Sequence, residues 1–209
     1  MLAKPMDILT EFPIRKTKEQ KKAFRDTVQA YLSGLGYAVT VETGSIGTRN
    51  LIVGDPENAT YLLTAGEAPS GVLLLLEIAR ILPKIQRNKA CFVLFDSKRL
   101  GPGAYCKAHK ANQMVFHLGD IGEGDLIRMF PSEALKKDRK RLTSLYKACG
   151  YFGKKSLLVE EEKRIRGCEP FPYVVHIRTL QKKKGNTPID TTNINILRAA
   201  LTTLITCDS

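Results

Sequence analysis

Tyr61-Leu62-Leu63-Thr64-Ala65 is short and almost continuously apolar, as a strand buried on both faces of a sheet must be. A helix is expected from Ser70 to Leu82, apolar nearly all round and therefore buried in the body of a domain; Pro83 stops it. Asn88 to Asp96 has the same continuous apolar character and reads as the clearest central strand. At the other end of the chain, Ile194, Leu197, Leu201, Leu204 and Ile205 recur at helical spacing and predict a final helix over Thr191 to Thr206, capped by Asp190.

Weaker periodicities fill the gaps. Thr17-Lys18-Glu19-Gln20 has the form of a capping box. Ala23, Phe24, Val28, Tyr31 and Leu32 then mark one face of a helix, and Gly34 and Gly36 end it. Strands are expected over Tyr37 to Glu42 and Asn50 to Gly54, with Gly44-Ser45-Ile46-Gly47 turning between them. Gly101-Pro102-Gly103 reads as a loop and Ala104 to Lys110 as a short helix. Further strands are expected over Gln113 to Leu118, Leu126 to Phe130, Lys155 to Val159 and Tyr173 to Ile177. Ser132 to Cys149 reads as one charged amphipathic helix with Ser132 as its N-cap and Gly150 as its stop. Glu160 to Pro170 and the basic stretch Lys182 to Pro188 read as loops.

Strands alternating with helices predict an α/β fold: a mixed, mostly parallel central sheet with helices on both faces. With 209 residues and no internal repeat, a single domain over 1–209 is the simplest organisation.

Composition changes this picture little: 43% apolar and 26% charged residues are ordinary for a globular domain. No apolar run is long enough to span a bilayer and no signal peptide opens the chain, so a cytoplasmic location is the expectation. Five cysteines without CxxC spacing argue for reduced, structural thiols. The net charge of +12 is more informative. It lies in short clusters at Arg15 to Lys22, Lys136 to Arg141, Lys154-Lys155 and Lys182 to Lys184, none interleaved with aromatic residues as in a single-strand nucleic-acid binder.

In open α/β sheets, chemistry sits just beyond the carboxyl ends of the parallel strands. At the first such end stand Gly66-Glu67-Ala68-Pro69, one carboxylate without histidine or cysteine. His109 is expected on a helix surface, with His117 and His176 inside strands, and no two histidines have a chelating spacing. His117, Asp120, Glu123 and Asp125 offer an oxygen-rich loop for a hard cation, although the spacing is not that of an EF-hand. Glu160-Glu161-Glu162 reads as a charge run. Gly101-Pro102-Gly103 is too short for a dinucleotide fingerprint, and no Gly-x-Ser-x-Gly nucleophile elbow is present.

The order of these segments resembles the bacterial di-zinc aminopeptidases, the family that also holds glutaminyl cyclase and the transferrin-receptor ectodomain. The resemblance rests on Phe12 to Thr17, Thr48 to Gly54, Tyr61 to Ala65, Gly71 to Arg80, Phe92 to Asp96 and Thr192 to Leu201. These are scaffold segments, which specify a fold better than a reaction. The resemblance implies a zinc-aminopeptidase-like fold and chemistry on two zinc ions, with a carboxylate as general base on the bridging water.

Position by position, the ligands that the resemblance leads one to expect are replaced. Where the family has His-x-Asp after the first parallel strand, this chain has Gly66, Glu67 and Ala68. The connection carrying a second Asp is shortened to Pro69-Ser70-Gly71. Ser97-Lys98-Arg99 stands in place of a Glu pair, reversing the local charge. Gly119 stands at the next Asp ligand, with Asp120 one step away, and no histidine precedes the last helix.

Three functions follow. The first is a zinc-aminopeptidase-like scaffold that no longer catalyses and needs no cofactor. The second is a metal-dependent aminopeptidase acting on peptide substrates with rearranged ligands. In it Glu67 is the candidate base, Asp120 and Glu67 are candidate zinc ligands, and Asp96 and Glu123 are the remaining acids. The third is a binding module whose clusters at Lys136 to Arg141 and Lys182 to Lys184 meet nucleic acid or an acidic protein.

Overall fold

Among the described residues, the apolar runs become a single eight-stranded sheet. In the computed structural model, residues 4–13, 15–44, 47–97, 99–110, 112–122, 127–143, 156–158, 170–179 and 191–207 are described. The strands are β1 (Val39–Thr43), β2 (Arg49–Val53), β3 (Tyr61–Ala65), β4 (Ala90–Leu94), β5 (Met114–Leu118), β6 (Ile127–Pro131), β7 (Ser156–Leu158) and β8 (Val174–Thr179). They lie in the order β1-β2-β4-β3-β5-β8-β6-β7. The central strands β4, β3, β5 and β8 are mutually parallel, while β1, β2 and β6 join antiparallel, so the expected mixed α/β sheet is observed.

The helices are α1 (Pro5–Glu11), α2 (Lys18–Gly34), α3 (Pro69–Ile81), α4 (Leu100–Ala108), α5 (Glu133–Lys137) and α6 (Thr191–Cys207). The connection β3-α3-β4 moves one way along the sheet and β4-α4-β5 moves back past β3. Two right-handed crossovers of opposite direction need their helices on opposite faces. Accordingly, α3 packs with α1, α2 and α6 on the face that presents Leu63, Phe92 and Phe116. Tyr105 of α4 packs on the other face with Leu62, Cys91, Val93 and Phe171. Leu73 to Leu76 are essentially inaccessible, because α3 touches the sheet on one side and helices α1, α2 and α6 around the rest.

Local signals explain most boundaries. Thr17 accepts a hydrogen bond from the Gln20 amide, and the Gln20 side chain accepts one from the Thr17 amide, completing the expected capping box. Ser132 caps α5 by accepting from the Leu135 amide.

Several elements differ from expectation. The helix expected from Ser132 to Cys149 breaks at Asp138, which follows α5 and accepts the Arg141 amide, starting a new helical stretch over 139–143. Gly101-Pro102-Gly103 is helical, since Pro102 falls in the first turn of α4, where amide hydrogens need no intrahelical partner. The strand expected from Asn88 is preceded by a 3-10 turn over Lys84–Lys89, and β4 is confined to Ala90–Leu94. The helix α1, with Pro5 at its first position, carries no periodic signal in the sequence. Asp190 and the basic stretch from Lys182 lie outside the described residues.

Candidate functional site at the strand ends

Because the chain reverses direction along the sheet, β3 and β5 flank the crevice in which an open α/β sheet ordinarily binds its ligand. Among the described residues, that crevice is closely packed. The first turn of α3 lies directly on the end of β5: a Cβ at Gly71 would collide with the carbonyl oxygens of Leu118 and Gly119. The loop after β5 is fastened from three sides. The Ile121 amide donates to Ser70 Oγ at 2.9 Å, the Gly122 amide donates to Thr179 Oγ1 at 2.7 Å, and Asn193 Nδ2 donates to the Gly122 carbonyl at 2.8 Å.

Beneath this loop, parallel pairing aligns His117 of β5 with His176 of β8. Their ring centroids are 5.2 Å apart and both rings are buried. Thr64 Oγ1 and His117 Nδ1 form a 2.9 Å hydrogen bond, Phe95 stacks on His117, and Phe130 lies against His176. A Cβ at Gly119 would strike His176 Nε2. Local spacing gives no hint of this pair, which exists only through the β5–β8 register.

One strand over, the arrangement is open. A cavity of about 50 Å³ is lined by Arg15, Lys21, Phe24, Arg25, Arg49, Leu51, Gly66, Glu67, Leu94, Phe95 and Asp96. It sits between α2, the start of β2 and the carboxyl ends of β3 and β4. Antiparallel pairing of Leu51 with Leu94 brings Arg49 to this end of the sheet. Arg15 stacks over the Phe24 ring, 4.3 Å from its centroid, and donates to the Glu67 carbonyl at 2.5 Å. Lys21 donates to the Asp96 carbonyl at 2.8 Å. Burial draws the Arg15 pKa below its usual range, and the Glu67 charge opposes that shift.

Glu67, the candidate base, is therefore at this cavity, largely exposed and 3.9 Å from Lys21. Asp96 is there too: it accepts the Arg49 amide at 3.2 Å and lies 3.9 Å from the Arg25 guanidinium. Asp120 is exposed beyond β5 and does not line the cavity; its carbonyl accepts the Thr179 amide. Glu123, Asp125 and Lys98 lie outside the described residues.

A two-zinc centre asks for imidazole or carboxylate donors in sets of about four per ion. The described residues do not fit one. Among them, no cluster of three or more His, Cys, Asp or Glu side chains is placed to hold a metal. At the cavity two carboxylates stand among four cations. The buried thiols add no nucleophile, since burial pushes Cys91 and Cys106 up to about 12, leaving them protonated at neutral pH.

The third histidine is not on a helix surface. His109 follows the last turn of α4, half-buried against Tyr105, and ties together two distant acids. Its Nδ1 is 2.7 Å from Glu57 and its Nε2 2.5 Å from Glu42. Burial alone would lower its pKa; the hydrogen bonds it makes to Glu57 and Glu42, and the charges of those acids, outweigh burial and raise it. Of the basic cluster at Lys136 to Arg141, Lys136 pairs with Glu133, and Arg141 pairs with Asp138 while lying over Tyr173. Among the described residues, no helix is long and apolar enough to cross a membrane.

No protein-family profile matches the chain, and no curated protein matches it. Solved structures do. The chain is similar to a glutaminyl cyclase from Fimbriiglobus ruber, with TM-score 0.70 and 15% identity over 99% of this chain and 95% of that one. It is also similar to a Zn-dependent exopeptidase from Parabacteroides distasonis, with TM-score 0.61 and 16% identity over 98% and 96% of the two chains. The LapA aminopeptidase of Legionella pneumophila gives TM-score 0.69 and 10% identity over 97% of this chain and 70% of that one. At these identities what is shared is the fold, that of the zinc exopeptidases and glutaminyl cyclases.

Proposed function

We propose that this chain is a zinc-aminopeptidase-like scaffold that does not hydrolyse peptides. One observation carries the reading. The acids Glu67 and Asp96, at the ends of β3 and β4, stand among Arg15, Lys21, Arg25 and Arg49. Cations at this range repel a divalent ion and hold the carboxylates as partners of protein charges. The zinc affinity of the EDTA-treated protein, measured by equilibrium dialysis, tests this together with hydrolysis of aminoacyl-p-nitroanilides. No stoichiometric zinc at micromolar free metal and no turnover is the expected result; two bound zinc ions with turnover overturns it.

A second reading is supported by the shared cavity of Glu67 and Asp96 and by the named activities of the structural neighbours. In it the chain is a metal-dependent aminopeptidase with rearranged ligands, Glu67 serving as base and Asp120 or Glu67 as zinc ligand. Asp120→Ala then abolishes metal binding; unchanged binding removes Asp120 from the ligand set. Binding of nucleic acid or an acidic protein by the basic clusters is a third proposal, and steep weakening with salt is its test.

A further inference from the structure

We propose that the cavity between α2, the start of β2 and the ends of β3 and β4 binds a single oxyanion head group, carboxylate or phosphate, through Arg15 and Arg49. The inference rests on the non-hydrolytic reading, because it places an anion where that reading excludes metal.

Among the described residues, four cationic side chains line the cavity against two carboxylates, and the pairings are loose. Lys21 to Glu67 and Arg25 to Asp96 are both 3.9 Å, longer than a charge-assisted hydrogen bond. The short contacts of Arg15 and Lys21 go instead to main-chain carbonyls, which orient a cation without neutralising it. Among the described residues neither Arg15 nor Arg49 has a carboxylate within ion-pair distance. Each guanidinium is a fork of five N–H donors suited to two oxygens of a carboxylate or phosphate. The remaining walls, Phe24, Val28, Leu51, Leu94 and Phe95, are apolar, so the local field is poorly screened. A bound anion would also offset the burial that now disfavours the Arg15 cation.

The size of the cavity limits the ligand. About 50 Å³ admits a few water-sized groups, enough for a head group; any remainder of the ligand extends into solvent past exposed Glu67.

The test is titration of the EDTA-treated protein with inorganic phosphate, and separately with acetate, at constant ionic strength, followed by amide chemical shifts and thermal midpoint. Saturable shifts at Gly66, Glu67 and Asp96 are expected. Arg49→Gln should weaken binding about tenfold, the loss of one charge-assisted contact. Arg49 is exposed, so this variant keeps the fold; Arg15→Gln is the second variant, and Lys137→Gln, in the remote basic cluster, should leave binding unchanged. Saturation with phosphate alone assigns a phosphoryl group, and saturation with acetate assigns a carboxylate; either supports the site. Absence of saturation with both anions overturns it, as does binding unaffected by both Arg variants. Zinc uptake by the same protein would instead overturn the non-hydrolytic reading, so the two failures are distinguishable.

Discussion

The ends of β3 and β4 and the ends of β5 and β8 lie along the same margin of one sheet, yet they are built on opposite principles. At β5 and β8 the backbone is packed to contact: Gly71 and Gly119 admit no Cβ, and Ser70, Thr179 and Asn193 fasten the loop above two buried histidines. At β3 and β4 a cavity remains, and charged side chains from α2 and β2 line it. Among the described residues, the crevice that topology favours for a ligand is closely packed, while its neighbour is open and lined by more cations than carboxylates. A fold thus fixes where a site is expected, and the packing at each strand end determines whether space for one exists.

The glycines test this contrast most sharply. Gly71→Ala drives a methyl into two carbonyl oxygens and should cost about 3 kcal/mol or more in urea unfolding. Gly66 borders the open cavity and has no positive φ, and a methyl added there would meet nothing within 4 Å. Gly66→Ala should therefore change stability by less than about 0.5 kcal/mol. Equal costs at the two sites would erase the distinction between a closed and an open end.

Arg25→Ala comes next. It strips Asp96 of its buried guanidinium neighbour and should cost about 2 kcal/mol, less than for a tight pair because Asp96 keeps the Arg49 amide. At the closed end, Thr64→Val removes the hydrogen bond to His117 and should cost about 1 kcal/mol, with altered His117 ring resonances as the local readout.

The smallest effect lies away from both ends, at His109. Its folded pKa is raised above the unfolded value of about 6.5. Its stabilisation is therefore fully present below that value and is lost as pH rises through the raised folded pKa. The urea midpoint should decline across that window in the wild type, and His109→Gln should flatten the decline.

The sequence is most legible where burial is complete. β3 is found at Tyr61–Ala65 as expected and α3 begins one residue early, since a segment enclosed on every side carries a continuous apolar run. Legibility fails where a local signal has two meanings. Pro102 reads as a helix breaker but occupies a first turn, and the apparent single helix after Ser132 contains Asp138, which starts a second helical stretch. The cavity is less legible still. Arg15, Arg25, Arg49, Glu67 and Asp96 come from separate segments and meet only through tertiary packing, so a charge cluster such as Arg15 to Lys22 conveys basicity without direction. Glu67 and Asp96 are nevertheless identifiable as strand-end acids, because position after an apolar strand can be read locally.

Strand order also sets a schedule for synthesis. Ribosomes deliver the chain from its N-terminus, and the first five strands, β1 to β5, are contiguous in the sheet. That block can assemble as it emerges, with α1, α2 and α3 at hand to cover it. β6 has no such opportunity: its partners β7 and β8 are both made after it. α3 likewise waits for α6, the last described element, to cover part of its apolar surface. A nascent chain stalled between β6 and β7 would expose a strand without partners beside an uncovered leucine-rich helix, making it the stage of biogenesis most dependent on a chaperone.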